Sequence, residues 1–449
     1  MDKWTRISGN CFLYYAQDKT YLIQTLPFKI FRVADTPLAA NEVASFVQHL
    51  CDEQSSRSEP ILPQSYYLPL VIVTNACNLA CTYCYAWEGS YGMTPHFASK
   101  EIIDRTLELT KQYLLRLEGK EQIEFGLILF GGEPTLSYPL LEYSVVKALE
   151  VANWLSSNSA TLYRPVITVN TNGLALPDSF AKLISDYGKW MEIIVSYDGL
   201  WHDENRIDRH GNGSSRRVEE NIQHLLNLGV ELDVTMVVPP TKMKMFRENI
   251  EYTTQKFGSG ININPSFVRG AIPSVERKAV YPGKLEESYT VELVSEWGEI
   301  TSRLILDGYN IYWKRFRRRV FEGGYLYRCP AMLYEFCVTP LGDVYPCHNL
   351  IDEKFKLGNV LDDGFRIEKR RDVLNLFLNR RLDKLDPCRD CLFQTTCLSS
   401  FDCPAHSLHD LGDFFRVDER FCPAAQKIMD GLLQRLIREL ETKPEEEQS

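Results

Sequence analysis

Between Leu68 and Pro265 the chain alternates short apolar runs with longer stretches whose apolar residues recur at helical spacing. The runs are Leu68–Thr74, Phe125–Phe130, Val166–Asn170, Glu192–Tyr197, Leu232–Val238 and Ile261–Pro265. Their β-branched and aromatic content predicts six strands. Phe97–Leu117, Leu141–Leu155 and Arg217–Leu228 predict helices between them. Strands that alternate with helices form a parallel α/β sheet, open or partly closed into a barrel, and active groups collect where such strands end.

The flanking pattern differs. Apolar runs at Cys11–Tyr15, Tyr21–Gln24 and Phe28–Phe31, then a helical stretch from Leu38 to Cys51, predict a small α+β unit over residues 1–65. Ser55–Pro63 is its polar, proline-marked connector. After the sheet region, a helical segment from Leu285 ends in Lys314-Arg-Phe-Arg-Arg-Arg319, which reads either as a solvated helix face or as a dock for an acidic peptide. The chain beyond residue 320 is rich in cysteine and loops, and a last helix over Pro423–Glu441 fades into a charged tail. The expected division is 1–65, 66–310, 311–430 and a terminal 431–449.

A length of 449 residues suits two or three domains, and a net charge of -10 argues against a nucleic-acid partner. No apolar run is long enough to span a bilayer, and the N-terminus has no signal-peptide pattern, so a cytoplasmic protein with no membrane partner is expected. The 13 cysteines do not read as a disulfide framework, because the chain is long enough to fold without staples and most stand in the short-range groups that suit metals. Cys11 and Cys51 have no nearby partner and read as lone thiols.

Cys77, Cys81 and Cys84 follow directly on the first strand, in Thr74-Asn-Ala-Cys-Asn-Leu-Ala-Cys-Thr-Tyr-Cys-Tyr-Ala-Trp87. Three thiolates so close grip one cluster without completing its ligation, and an incompletely ligated iron is a place for chemistry. A zinc site would need a fourth ligand, for which His96 is the candidate. The spacing CxxxCxxC, with the aromatic Tyr83 before the last cysteine, resembles the signature of the radical S-adenosylmethionine (SAM) superfamily. That resemblance implies a partial (β/α)6 barrel and a [4Fe-4S] cluster on these thiols. The open iron is chelated by the methionine moiety of SAM, whose cleavage leaves a 5′-deoxyadenosyl radical. The cofactor supplies the difficult chemistry, and the protein supplies binding, aim and shielding.

Other strand-end segments, over about residues 70–280, carry the same resemblance. Gly131-Gly-Glu-Pro134 is similar to the family's GGEP segment, with glycines for close backbone approach and Glu133 to accept from the cofactor's ammonium. Asn172, Ser196 and Asp198 are implied pocket residues, and Arg206 or Arg209 is the counter-charge to the cofactor's carboxylate.

Cys329, Cys337, Cys347, Cys388, Cys391, Cys397, Cys403 and Cys422 fill the last quarter of the chain. Gly342-Asp-Val-Tyr-Pro-Cys347 followed by Cys388-x2-Cys391-x5-Cys397 resembles the SPASM extension of radical SAM enzymes that modify peptides. The resemblance implies one auxiliary [4Fe-4S] cluster on Cys329, Cys337, Cys347 and Cys403, and another on Cys388, Cys391, Cys397 and Cys422. The gap from Cys397 to Cys403 is longer than the family's. A zinc ribbon over Cys388–Cys403 leaves the other four cysteines unexplained.

The function implied is that of a peptide maturase of the RiPP type, resembling anaerobic sulfatase-maturing enzymes more distantly. It abstracts a side-chain hydrogen from a ribosomally made precursor and closes a carbon–carbon, ether or thioether crosslink. Formylglycine formation, peptide epimerisation and non-catalytic electron transfer are the alternatives. His348 stands where the sulfatase-maturing pattern has an acidic residue or histidine and is the candidate proton acceptor. The precursor peptide and a small electron donor such as a flavodoxin or ferredoxin are the implied partners, and residues 1–65 are a candidate precursor-recognition unit.

Overall fold

The computed structural model describes residues 3–8, 10–38, 68–117, 121–268, 289–398 and 403–442. The expected helix over Leu38–Cys51, the Ser55–Pro63 connector and the tail beyond residue 442 lie outside that set, apart from Leu38 itself. Strands β1 (Trp4–Ser8), β2 (Cys11–Ala16), β3 (Lys19–Thr25) and β4 (Phe28–Ala34) form an antiparallel sheet in chain order. β1 was not foreseen, since a five-residue edge strand with polar residues between Trp4 and Ile7 carries little periodic signal. Alternation divides β2 between two layers. Phe12 and Tyr14 join the main core with their cross-strand partners Ile23 and Tyr21, while Cys11, Leu13 and Leu22 face a smaller cluster. Cys11 is disulfide-bonded, not the lone thiol expected, and Cys51 lies outside the described residues.

The second sheet is built on β5 (Leu68–Thr74), β6 (Gln122–Gly131), β7 (Leu162–Thr171), β8 (Met191–Ser196), β9 (Glu231–Val238) and β10 (Asn262–Phe267). All five pairings are parallel and follow chain order, as the alternating pattern predicts. The crossovers carry α1 (Lys100–Leu114), α2 (Tyr138–Ser157), α3 (Asp178–Tyr187), α4 (Ser215–Asn227) and α5 (Phe246–Phe257). In α1, Ser99 caps the N-terminus by accepting from the Ile102 amide, and Ile103, Leu107 and Leu114 bury the facing stripe.

On its other edge the sheet continues into the cysteine-rich region. β11 (Glu335–Val338) pairs parallel with β5, and β12 (Asp343–Tyr345) and β13 (Gly358–Asn359) follow antiparallel, giving a mixed sheet of nine strands. Segments of two to four residues among Gly, Pro and Cys show no period, so this extension was not legible. The helical stretch ending at Arg319 is two helices, α6 (Val291–Leu306) and α7 (Trp313–Phe321), separated where Gly308 and Tyr312 take positive φ. Its basic run is neither a uniform solvated face nor a free dock. Lys314 bonds Glu192 at 3.2 Å and pairs with Glu231 at 2.6 Å, while Arg319 turns inward to the Cys397 carbonyl.

Beyond these lie α8 (Arg371–Asn379), α9 (Pro404–Leu411) and α10 (Cys422–Thr442). α10 packs along α6 and receives the N-terminal sheet, with Tyr14 donating to Asp430 at 2.5 Å and Tyr21 to Glu441 at 2.7 Å. No helix among the described residues is long and apolar enough to cross a membrane.

Candidate active site

The carboxyl ends of β5 to β10 surround a cavity of about 350 Å3. Cys77, Cys81 and Cys84 line one side of it, on the loop that leaves β5 at Thr74. Buried Asn75 anchors that loop: its amide donates to the Ser90 and Thr94 carbonyls at 3.2 and 2.8 Å, and its oxygen accepts from the His96 amide at 2.5 Å. Further along, Ala80 and Thr82 donate to the Ile207 and Asn205 carbonyls, which ties the loop to the segment carrying Arg206.

Gly131 and Gly132 seat the loop from the other side. Gly132 donates to the Thr74 carbonyl and Glu133 to the Ala76 carbonyl, both at 2.8 Å. A Cβ at Gly131 would lie 2.1 Å from the Thr74 oxygen, and one at Gly132 would lie 2.2 Å from the Ala76 oxygen. The close approach that these glycines permit is thus to the cysteine loop's own backbone.

Glu133 and Pro134 do not line the cavity. The fully buried Glu133 carboxylate accepts from the Thr135 amide (3.1 Å), the Thr135 and Thr171 hydroxyls (2.7 Å each) and the Asn172 amide (2.6 Å), so it fastens the end of β6 to the end of β7. Asn172, positioned by it, does face the cavity, and its side chain donates to the Asn78 oxygen at 2.7 Å and to the Cys77 sulfur at 3.7 Å.

Ser196 and Arg206 also line the cavity, whereas Asp198 stands behind it. Asp198 is fully buried and grips Arg206 through two bonds of 3.0 and 3.2 Å, accepts from the Val237 amide at 2.9 Å and receives the Tyr83 hydroxyl. Burial opposes Arg206's charge, but Asp198 outweighs it and the guanidinium's pKa rises. Arg209 is exposed, holds the Cys77 carbonyl at 3.1 Å and is not in the lining. Of the two candidate arginines, the structure brings only Arg206 to the cavity.

Part of the lining comes from the distant cysteine-rich region: His348, Asn349 and His406 join Tyr85, Phe130 and Phe267 there. The His348 ring lies 5.1 Å from Phe130 and 5.8 Å from Tyr85, and its buried Nδ1 has no hydrogen-bond partner among the described residues. Burial, with His406 adding to it, pushes His348 down to about 4, so it is neutral near pH 7. His406 and Asn349 were not foreseen. His406 has no motif around it, and only its place on α9, three residues after Cys403, brings it here.

The three thiols fit a polynuclear cluster better than a single ion. No three His, Cys, Asp or Glu side chains among the described residues converge to hold one metal ion. His96, the candidate fourth zinc ligand, instead has its Nδ1 2.7 Å from the Thr94 carbonyl and is absent from the lining. Burial pushes Cys77 up to about 12 and Cys81 up to about 11, the latter drawn back by Arg206.

Residues 71–253 match the Radical SAM superfamily, and residues 329–392 match the SPASM iron-sulfur cluster-binding domain. The chain is a radical SAM enzyme with a SPASM domain. The cysteine-type anaerobic sulfatase-maturating enzyme of Clostridium perfringens strain ATCC 13124 is 25% identical over 342 residues, covering 72% of this chain and 85% of that protein. Among solved structures, His-tagged anSMEcpe with bound AdoMet superposes with a TM-score of 0.64 at 19% identity, over 85% of this chain and 97% of that one. Streptococcus suis SuiB bound to the precursor peptide SuiA gives 0.52 at 11% identity, over 93% and 99%. Iron-sulfur clusters and SAM are accordingly the cofactors of this radical SAM enzyme.

Within the SPASM region the thiols fall into two groups. Cys388, Cys391, Cys397 and Cys422 line a common pocket with Arg328, whose guanidinium donates to the Cys388 sulfur at 3.8 Å. Cys329, Cys347 and Cys403 form the other group, each of the first two thiols raised by burial and then by the Cys403 charge. The fully buried Cys337 side chain packs with Leu70, Ile72, Tyr91 and Tyr345, beside Cys84 and Tyr85.

Proposed function

We propose that this radical SAM enzyme matures a precursor peptide by joining two of its residues through a carbon–carbon, ether or thioether bond, with net loss of two hydrogens from the peptide. The observation that carries this reading is the composition of the cavity wall. Among the described residues lining it there is no carboxylate, and the lining includes the rings of Tyr83, Tyr85, Phe130 and Phe267 and the imidazoles of His348 and His406. Such a wall shields a radical from water and from competing hydrogen donors, and it presents neutral His348 as the candidate proton acceptor.

Cys77, Cys81 and Cys84 would hold the first [4Fe-4S] cluster. When bound with SAM, it supplies a hydrogen-abstracting radical. Leu79 and Asn172 donate to the Cys77 sulfur, and Arg206 keeps a positive charge beside Cys81. The SPASM thiols would hold two further clusters that relay electrons, with a small flavodoxin or ferredoxin as the external donor.

A precursor peptide as substrate is supported by SuiB, whose structure holds one. We assign residues 1–65 to precursor recognition, where a leader would add as a strand beside an edge of the β1–β4 sheet. The second reading is formylglycine formation, favoured by the likeness to the Clostridium perfringens enzyme. Incubation with a short peptide encoded beside the gene, followed by mass spectrometry, separates the two readings. A product lighter by two hydrogens, with fragmentation blocked between the joined residues, supports the crosslink. An aldehyde on a sulfatase-derived peptide supports the other reading and sinks the first.

A further inference from the structure

Arg328 stands between the two groups of SPASM thiols. It is the residue before Cys329, yet its side chain reaches the other group and donates from Nη2 to the Cys388 sulfur at 3.8 Å. The backbone fixes this placement. After α7 the chain runs beside the downstream cysteine segment: the Tyr325 amide donates to the Thr395 carbonyl at 3.1 Å, and the Leu326 carbonyl accepts from the Leu382 amide at 3.0 Å. Arg319, in the last turn of α7, ties the two segments together. Its guanidinium donates to the Arg328 carbonyl at 3.4 Å and to the Cys397 carbonyl at 2.5 Å.

Cys388, Cys391, Cys397 and Cys422 line one pocket with apolar Phe393, Val417 and Met429, and four thiolates are the donor set that a [4Fe-4S] cluster requires. Among the described residues lining it, the charged side chains other than thiols are Arg328 and Asp418. Asp418 is buried and accepts from Arg420 at 2.7 and 2.9 Å, so its charge is met by that partner. The cation presented to the thiols is therefore Arg328. Such a cluster gains one negative charge on reduction. A hydrogen bond to a ligand sulfur and a nearby positive charge both favour the reduced form, and an apolar pocket screens them less than water does.

We propose that Arg328 is a positioning residue of the electron relay. It holds an N–H and a positive charge on the Cys388 sulfur, raises the reduction potential of that cluster and so draws to it the electron that a substrate radical releases. The inference rests on the reading of the SPASM thiols as cluster ligands. Arginine suits the place because its planar fork stays charged and is weakly hydrated, so it enters an apolar pocket at lower cost than a lysine.

The test uses the full chain carrying Cys77→Ala, Cys81→Ala and Cys84→Ala, so that only auxiliary clusters form. About eight irons per chain are expected there, from two [4Fe-4S] clusters, and iron near zero would instead refute the cluster reading itself. Arg328→Met, Arg328→Lys and Arg328→Gln are added to this chain, and each protein is titrated with dithionite and mediators under electron paramagnetic resonance. Cys391→Ser, which alters the cluster of the Cys388 group, tells the two signals apart. In Arg328→Met that cluster should be about tenfold less reduced at a fixed potential, a fall of about 59 mV for one electron. The other cluster should move less, and Arg328→Lys should lie nearer the parent than Arg328→Gln does. Where the methionine variant loses iron, the lysine and glutamine variants decide: a higher potential with lysine supports the assignment, and equal potentials overturn it. An unchanged potential in Arg328→Met with its iron intact, or an equal fall in both clusters, would also overturn it.

Discussion

Replacing Glu133 by glutamine tests whether this side chain serves the cofactor or the scaffold. The carboxylate receives four donors, three at one oxygen and the Asn172 amide at the other. A glutamine has a single acceptor oxygen. Turned toward Asn172, it keeps that bond, and the Thr135 and Thr171 hydroxyls can rotate to accept from the new NH2 group. The Thr135 backbone N–H cannot rotate and is left facing a donor. One buried amide without a partner costs about 1–3 kcal/mol. Because each 1.4 kcal/mol is tenfold, amide exchange in the segments holding Thr135 and Asn172 should quicken by about 5- to 150-fold in the variant without cofactor. Alanine, which strands both amides, should be worse. The assay is hydrogen exchange with mass spectrometry on the wild-type, glutamine and alanine proteins, alongside SAM affinity by equilibrium dialysis. If exchange is unchanged while SAM binding is lost, Glu133 touches the cofactor directly and the positioning argument fails.

Other perturbations follow from the same geometry. Arg206→Ala leaves Asp198 buried without its cation, which costs about 3–5 kcal/mol for a broken buried pair. It should abolish SAM cleavage, whereas Arg209→Ala, on the surface, should keep most of it, and equal effects would remove the distinction between the two arginines. Asn75→Ala removes three bonds that hold the cysteine loop, so iron loss to a chelator should be faster from the first cluster while the SPASM signals stay unchanged. Arg319→Met deprives the Cys397 carbonyl of its 2.5 Å donor and should release iron from the Cys388 group first, as followed by electron paramagnetic resonance. Asp430→Ala takes a partner from both Tyr14 and Lys3, and limited proteolysis should then cut within residues 4–34 sooner.

The six parallel strands were legible because they are short β-branched or aromatic runs separated by helical stretches. The cysteine loop was legible because its spacing is local. What escaped was set by pairing at long range. The addition of β11 beside β5 joins residues more than 250 positions apart, and the short strands involved carry no period. The same addition delivers His348 to the cavity, while His406 comes to it on α9. Spacing also could not say which way a side chain turns. Glu133 and Asp198 face inward to brace the site, while Asn172 and Arg206 face the cavity, and the resemblance implied a cofactor contact for all four.

Cleavage of SAM by the reduced, reconstituted protein tests the central claim most directly. The account predicts 5′-deoxyadenosine from the wild-type protein and none from Cys77→Ala, Cys81→Ala or Cys84→Ala. Its persistent absence from wild type under strictly anaerobic, reducing conditions, or its formation by any of the three variants, would contradict the account.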